Sequence, residues 1–208
     1  MLISESKQFV FVHVQKTAGT SLAQILAPHC LQPSRSRLNR IASDLRLVDW
    51  RRHHFHRHDS LRRVQSVLPV AVYRNMFKFA FVRNPWSRLV SYYEFILRTK
   101  DHHRRDKVEN LGGFDDFVEL FTGNPRRSQW SMLLDRDGKL GLDFVGRMEN
   151  LDADINSLCQ RLDIEAASIP HRKKSGNLAW RDYYTPRSAD LVRQRWSAEI
   201  EAFGYSFE

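Results

Sequence analysis

Cysteine is scarce in this sequence, and long apolar runs are missing. The two cysteines, Cys30 and Cys159, lie far apart and in no spacing typical of a metal or redox site. A disulfide framework is therefore not expected, and the chain is predicted to be cytoplasmic, in a reducing compartment. The apolar run Phe9–Val14 is too short for a signal-peptide core or a membrane span. We therefore expect no membrane span.

Acidic residues are outnumbered by basic ones. The chain has 33 Lys+Arg against 24 Asp+Glu, which gives a formal net charge of +9 at pH 7. This excess favours anionic partners such as a nucleotide, a nucleic acid, a membrane surface or an acidic polymer, although a solvated basic surface explains the same count. Hydrophobic residues make up 42% of the 208 residues, so global disorder is excluded. The length predicts one domain spanning residues 1–208.

Two segments of the chain share the order strand, polar loop, helix. Phe9–Val14 is aromatic and β-branched, as in a buried strand, and is followed by the polar loop Gln15–Ser21. Phe79–Val82 has the same character and is followed by Arg83–Arg88. Between them, residues 31–57 show little periodicity and are expected to be loop with short helical pieces. Alternating strands and helices predict an α/β fold with a parallel sheet, and both loops follow strand ends, where such sheets bind ligands.

The loop Gln15–Ser21 has the composition of an anion cradle. A helix start presents backbone N–H groups and positive potential. Lys16 adds a charge, Gly19 allows close approach, and hydroxyls follow the glycine. A nucleotide-binding loop of the Walker A type places its lysine directly between a glycine and Ser/Thr. Lys16 comes earlier, which disfavours a kinase or ATPase; an ordinary helix start with an exposed lysine is the simpler alternative.

The second loop offers a guanidinium at a strand end. Arg83 directly follows its strand, and a guanidinium can hold a phosphate through two hydrogen bonds. Ser91, on the following helix, could donate to the same phosphate. Pairing of Arg83 with a carboxylate is the alternative. Arg88 is expected to be a surface or supporting residue.

Taken together, these stretches resemble those of a known family. Val14–Leu22 resembles the 5′-phosphosulfate loop of Golgi-type carbohydrate sulfotransferases and their bacterial relatives, and Phe81–Tyr93 resembles their 3′-phosphate loop. Phe144–Leu151 and Tyr183–Tyr205 are similar to further family stretches. The similarity runs in the same order over about residues 9–207. A match to both cofactor loops in one chain identifies the family more specifically than a match to either loop alone.

The resemblance implies a P-loop-like three-layer α/β fold, in which helices flank a central parallel sheet. It also implies an O-sulfotransferase in which 3′-phosphoadenosine 5′-phosphosulfate (PAPS) is the co-substrate and a hydroxyl is the acceptor. The likeness to the family favours a hydroxyl on a glycan. Lys16 would contact the 5′-phosphate and the bridging oxygen and would stabilise the leaving group. Gln15 departs from the family, which often has proline there, but leaves Lys16 in place.

The remaining cofactor contacts follow from the same resemblance. Further 5′-phosphosulfate contacts would come from Thr17, Ala18, Gly19, Thr20 and Ser21. Arg83 and Ser91 would bind the 3′-phosphate. Lys173 and Lys174, in the basic loop Arg172–Ser175, would close over the nucleotide, unless this loop is only a solvated run of charge.

The histidine-rich segment His53–His58 supplies candidates for the general base. Phe55–His58 resembles the His-x-His stretch of uronyl 2-O-sulfotransferases, which implies that His56 or His58 accepts the proton of the acceptor hydroxyl. The two stay alternatives, and Glu149 is a rival base. Four histidines also suggest a metal, but no cysteine or ordered carboxylate spacing accompanies them, so no metal is expected.

Three other functions remain open. A P-loop-like ATP-dependent kinase is disfavoured by the loop sequence and by the lack of a clear magnesium-binding Asp after a strand. A non-enzymatic basic nucleic-acid-binding module is disfavoured because the basic residues are scattered and no recognition motif is present, so no nucleic-acid partner is expected. A degenerate sulfotransferase fold that only binds ligands is disfavoured by Lys16, Arg83 and Ser91. The sequence predicts neither the identity of the acceptor nor the oligomeric state.

Overall fold

The structure is a computed structural model that describes residues 1–33, 36–165 and 179–208. The chain divides into two compact units. The first unit comprises Met1–Val82 and Met132–Pro170, and the second comprises Arg83–Ser131 and His171–Glu208. One domain over residues 1–208 stays a prediction.

The first unit contains a four-stranded sheet in the order β1-β2-β3-β4. Its strands are β1 (Leu2–Ser4), β2 (Phe9–Val12), β3 (Phe77–Val82) and β4 (Phe144–Arg147). The pairs β2–β3 and β3–β4 are parallel, which confirms the predicted sheet type. β1 pairs antiparallel with β2 and was not predicted. A three-residue strand in a polar segment is too short to show a period of two.

Residues of β2 and β3 are buried on both faces of the sheet. Phe9 and Phe11 pack with Leu22 and Leu158, which lie on two helices. Val10 and Val12, which point to the opposite face, are also fully buried. A parallel sheet covered on both sides requires near-continuous apolar strands, because both side-chain sets leave water. The predicted α/β fold, with a mostly parallel sheet flanked by helices, is therefore confirmed.

The described residues form eleven α-helices. Helices wholly in the first unit are α1 (Gly19–Leu26), α2 (Arg37–Asp44), α3 (Leu61–Val67), α4 (Val70–Asn75) and α9 (Leu151–Leu162). Those wholly in the second unit are α5 (Pro85–Arg98), α6 (Arg105–Glu109), α7 (Phe114–Thr122), α10 (Pro186–Arg195) and α11 (Ser197–Phe203). The short helix α8 (Gln129–Leu133) contains the boundary between the two units. Among the described helices, none combines the length and the apolar character needed to cross a bilayer.

The second unit has its own apolar core around α5. Asn84 begins this helix, because its side-chain oxygen accepts hydrogen bonds from the backbone N–H groups of Trp86 and Ser87. Pro85 occupies the first helical position, where no N–H is needed. The buried Trp86 indole donates to the carbonyl of Ala189 at 3.0 Å. These contacts hold the start of α5, the helix that follows Arg83 in the chain.

Candidate functional site

The loop between β2 and α1 has an unusual backbone. Lys16 (φ 66°) and Ala18 (φ 58°) both lie in the left-handed region, which non-glycine residues rarely adopt. Each such residue costs about 1–2 kcal/mol, and such residues cluster at functional sites. Left-handed residues in alternation turn successive backbone N–H groups toward one side, which forms a concavity for anions. The backbone of Gln15–Ser21 therefore has the shape of an anion-binding loop.

Hydrogen bonds within this loop separate residues that hold its shape from those that face solvent. The buried Thr17 hydroxyl donates to the carbonyl of Val14 at 3.0 Å. The N–H groups of Ser21 and Leu22 donate to the carbonyl of Ala18, which closes the first turn of α1. Thr17 therefore stabilises the loop with its side chain, so its backbone N–H is the donor that it can offer to a ligand. Thr20, in contrast, is exposed.

Gly19 is packed against the imidazole of His13. A Cβ at position 19 would lie 2.1 Å from His13 Nε2. His13 is 5% exposed, and its ring stacks on Phe11 with 5.6 Å between the ring centroids. The sequence predicted that Gly19 allows close approach of a ligand. The structure adds a second requirement, because the ring of His13 occupies the space of any side chain at position 19.

Gly19→Ala is expected to lower the free energy of unfolding by about 1–3 kcal/mol, the usual cost of overpacking. Chemical denaturation measures this loss. The double variant His13→Ala/Gly19→Ala should recover most of it relative to His13→Ala alone, because the clashing ring is gone. Equal losses from Gly19→Ala in both backgrounds, and hence no coupling in the double-mutant cycle, would contradict this packing.

His58 is hydrogen-bonded to His13, which lies two residues before the loop Gln15–Ser21. Its Nδ1 lies 2.8 Å from the backbone carbonyl of His13, and the two rings meet edge to face with centroids 4.9 Å apart. A carbonyl only accepts hydrogen bonds, so Nδ1 carries the proton and Nε2 of the neutral ring is the acceptor. This contact assigns the tautomer that a general base at Nε2 requires.

Desolvation favours the uncharged form of both histidines, strongly at the buried His13 and more weakly at His58, which is an exposed residue. Desolvation lowers the pKa of His58 below its ordinary value of 6.5, although the hydrogen bond to His13 opposes the shift. The pKa of His13 falls to about 3, mainly by desolvation and secondly by the charge of His58. A neutral His13 can pack against His58 without electrostatic repulsion.

His56 has different surroundings. Like His58 it is exposed, but its backbone N–H donates to Asp59 Oδ2 at 2.8 Å, and its ring meets that of His54 edge to face with centroids 5.6 Å apart. His53 is buried and packs edge-on against Phe55. Within residues 1–33, 36–165 and 179–208, no group of three or more His, Cys, Asp or Glu side chains is arranged to hold a metal ion.

In the second unit, Arg83 is held by two side chains. Its Nε donates to Ser87 Oγ at 2.9 Å. The wholly buried Gln129 holds the backbone on both sides, because its Oε1 accepts from Arg83 N–H at 2.9 Å and its Nε2 donates to the Arg83 carbonyl at 2.8 Å. Gln129 also donates to the buried carboxylate of Glu199, whose pKa is raised by burial, with Arg88 opposing the rise. Sequence reasoning missed Gln129, since one glutamine in a short helix gives no pattern.

Ser91 lies on α5, four residues after Ser87, so both serines are on the same side of this helix. Ser91 is half-buried. Arg88 is a supporting residue and not a surface one: it is 5% exposed, donates to the carbonyl of Arg127 at 2.9 Å, and lies over the ring of Trp196 at 4.9 Å.

For three of the predicted site residues the structure gives little or no detail. Lys173 and Lys174 lie outside the described residues, so closure of their loop stays a prediction. Glu149 is exposed in a short 3₁₀-helix that follows β4.

The fold is an α/β fold with a mostly parallel sheet, and its first strand–helix loop is shaped for an anion. A family model described as "Sulfotransferase family" matches residues 1–206, so the chain belongs to the sulfotransferase family. Among solved structures, the chain is similar to mouse sulfotransferase SULT7A1 complexed with PAP, with a TM-score of 0.56 and 12% sequence identity. The match covers 95% of this chain and 86% of that chain, and at this identity it shows the fold alone. A comparison with curated proteins gave no match.

Proposed function

We propose that this protein is a PAPS-dependent O-sulfotransferase that acts on a hydroxyl of a carbohydrate. The observation that carries the proposal is the loop Gln15–Ser21, where Lys16 and Ala18 both adopt left-handed angles in front of α1. A sulfotransferase needs a binding loop for the 5′-phosphosulfate, and this backbone together with a lysine suits that group. The carbohydrate acceptor rests on the sequence resemblance.

The nucleotide contacts in this proposal are those that the sequence resemblance implies. Lys16 and the backbone from Thr17 to Ser21 bind the 5′-phosphosulfate. Arg83 and Ser91 bind the 3′-phosphate. The bond from Arg83 Nε to Ser87 Oγ supports the role of Arg83, because it orients the plane of the guanidinium.

The reaction is an in-line transfer. The acceptor oxygen attacks sulfur, its proton passes to His58 Nε2, and the bond from sulfur to the bridging phosphate oxygen breaks. Negative charge develops on the departing nucleotide, where the Lys16 ammonium stabilises it. Positioning supplies much of the rate in such reactions, and the net charge of +9 attracts the anionic co-substrate.

The hydrogen bond from His58 to His13 favours His58 over His56 as the base. It holds the imidazole against the carbonyl of His13, near the loop that begins at Gln15, and leaves Nε2 as the proton acceptor. His56 has its ring beside His54. Glu149, in the 3₁₀-helix after β4, stays the alternative base.

Binding of PAP (3′,5′-adenosine bisphosphate) tests the co-substrate. At 100 times its dissociation constant, PAP should stabilise the wild-type protein by about 2.7 kcal/mol, which thermal denaturation detects. We expect Arg83→Ala to lose this stabilisation and Arg126→Ala, a change at an exposed arginine of the same unit, to keep it. ADP should not replace PAP, whereas a kinase would prefer ADP.

Circular dichroism of the unliganded Arg83→Ala variant controls for its fold. Absence of a PAP shift in folded wild-type protein would contradict the proposed function. Tight, salt-dependent binding of random oligonucleotides that PAP does not displace would instead favour a nucleic-acid-binding module.

A further inference from the structure

Helix α2 (Arg37–Asp44) has its apolar face turned to solvent. Leu38 is 80% exposed, Ile41 49% and Leu45, directly after the helix, 63%. Their spacing of three and four residues places them on one side. The polar residues Asn39 and Ser43 are only 9% and 1% exposed. A surface helix normally buries its apolar side against the core. In α2 the polar side is buried instead, which indicates that the exposed apolar side contacts another molecule.

Polar contacts on the inner side hold this orientation. Asn39 Nδ2 donates to the carbonyl of Arg52 at 3.0 Å, and Ser43 Oγ accepts from the backbone N–H of His54 at 3.1 Å. Rotating the helix to bury its leucines would break both bonds and leave buried polar groups without partners, which is costly. The outward position of the apolar side chains is therefore part of the fold.

The end of α2 extends the apolar surface. The N–H of Leu47 donates to the carbonyl of Ala42 at 2.8 Å, and that of Arg46 donates to Ser43 at 3.0 Å. This is the Schellman arrangement, whose left-handed position usually holds glycine. Here Arg46 holds it, with φ 57°. The turn returns Leu47, which is 74% exposed, to the end of the helix.

Positive charge borders the exposed leucines and isoleucine. Arg37, Arg40 and Arg46 are all exposed. Asp44, the acidic residue of the helix, lies 4.0 Å from Arg63. We call the surface formed by these apolar residues and three arginines the outer face of α2. Its residues are Arg37, Leu38, Arg40, Ile41, Leu45, Arg46 and Leu47.

We propose that the outer face of α2 docks on the surface of an anionic lipid bilayer. Aliphatic side chains bordered by arginines match such a surface, since the apolar groups enter the acyl boundary and the guanidinium groups meet lipid phosphates. Two facing copies of this chain would bring their arginines together, which is repulsive. A protein-binding face would be expected to contain aromatic anchors, and the outer face has aliphatic ones only.

Docking through α2 would also hold the segment Arg52–His58 near the lipid surface. The inner contacts of the helix, to Arg52 and His54, are made with this segment, which continues to His58. The inference itself does not depend on the proposed sulfotransferase activity, because lipid binding is measured without PAPS or acceptor.

Sedimentation with vesicles tests the proposal. Wild-type protein should bind phosphatidylcholine vesicles that contain phosphatidylglycerol, and bind vesicles of phosphatidylcholine alone at least about tenfold more weakly. Added salt should weaken binding. Leu38→Gln/Ile41→Gln/Leu45→Gln and, separately, Arg37→Gln/Arg40→Gln/Arg46→Gln should each reduce binding about tenfold or more.

Val70→Gln is the matched control, because Val70 is a 66% exposed aliphatic residue on α4 of the same unit. It should bind vesicles as wild type does, and circular dichroism should show that all variants are folded. Failure of the wild type to bind anionic vesicles overturns the proposal, and so does equal binding by the apolar triple variant. Concentration-dependent dimerisation that this variant abolishes, without lipid binding, would assign the outer face to a second copy instead.

Discussion

His58→Gln is expected to lower kcat of sulfuryl transfer by about 10²–10⁴-fold, the usual contribution of a general base. The substitution removes the proton acceptor Nε2 that the hydrogen bond to the His13 carbonyl leaves available. PAP should bind the variant with nearly unchanged affinity, because the imidazole contacts the acceptor and not the nucleotide in this mechanism. Initial rates with a carbohydrate acceptor and thermal denaturation with PAP measure the two effects separately.

His56→Gln and His29→Gln make this test specific. His56 is the alternative base, so a loss of the same size there, with His58→Gln active, would move the role to His56. His29, a half-buried histidine of the same unit, controls for the loss of any imidazole. Full activity of both His56→Gln and His58→Gln would contradict a histidine base and favour Glu149.

The pH profile provides an independent measure of the same group. Desolvation lowers the folded-state pKa of His58 below 6.5, although the residue as a whole is exposed, and the base acts in its neutral form. Activity should therefore be constant through neutral pH, and kcat/KM should fall only as the pH drops below 6.5. An acid limb above this value would contradict the assignment, and His58→Gln should remove the limb from its residual activity.

Lys16→Met is the second change with a large expected effect, a loss in kcat of about 10²–10³-fold, as for removal of one donor to a developing anion. The charge on the leaving phosphate increases in the transition state, so Lys16 should affect kcat more than the affinity for PAP. Steady-state rates and PAP binding measure this difference. Lys100→Met, at an exposed lysine, should retain wild-type activity.

Lys16→Gly separates the charge of this residue from its backbone. Glycine adopts the left-handed angle of position 16 without strain, so relief of this strain should contribute up to about 1 kcal/mol to the free energy of unfolding. Activity should still fall as in Lys16→Met. If Lys16→Gly were active, the loop backbone alone would suffice for the leaving group, and the ammonium would have no role in the reaction.

Much of the sheet was predictable because its signals are local. The cores of β2 and β3 follow from aromatic and β-branched runs, and the loops after them from polar residues that precede helical spacing. Strand β1 was missed because three residues carry no periodicity. The strand predicted as Phe9–Val14 ends at Val12, so His13 was counted among strand residues and its contacts with Gly19 and His58 were not foreseen.

The sequence by itself determined the two strand–loop–helix segments that contain β2 and β3, the resemblance to the family, and the candidates Lys16, Arg83 and the two histidines. These features depend on residue types at short spacing in the chain, and such local patterns do not depend on what packs around them. Only the tertiary structure decided that His58 bonds to His13, that Gln129 holds Arg83, and that α2 turns its leucines outward. The first two contacts join residues that are distant in the chain. Burial of a helix face depends on which other elements pack against it, and a local sequence pattern does not give this information.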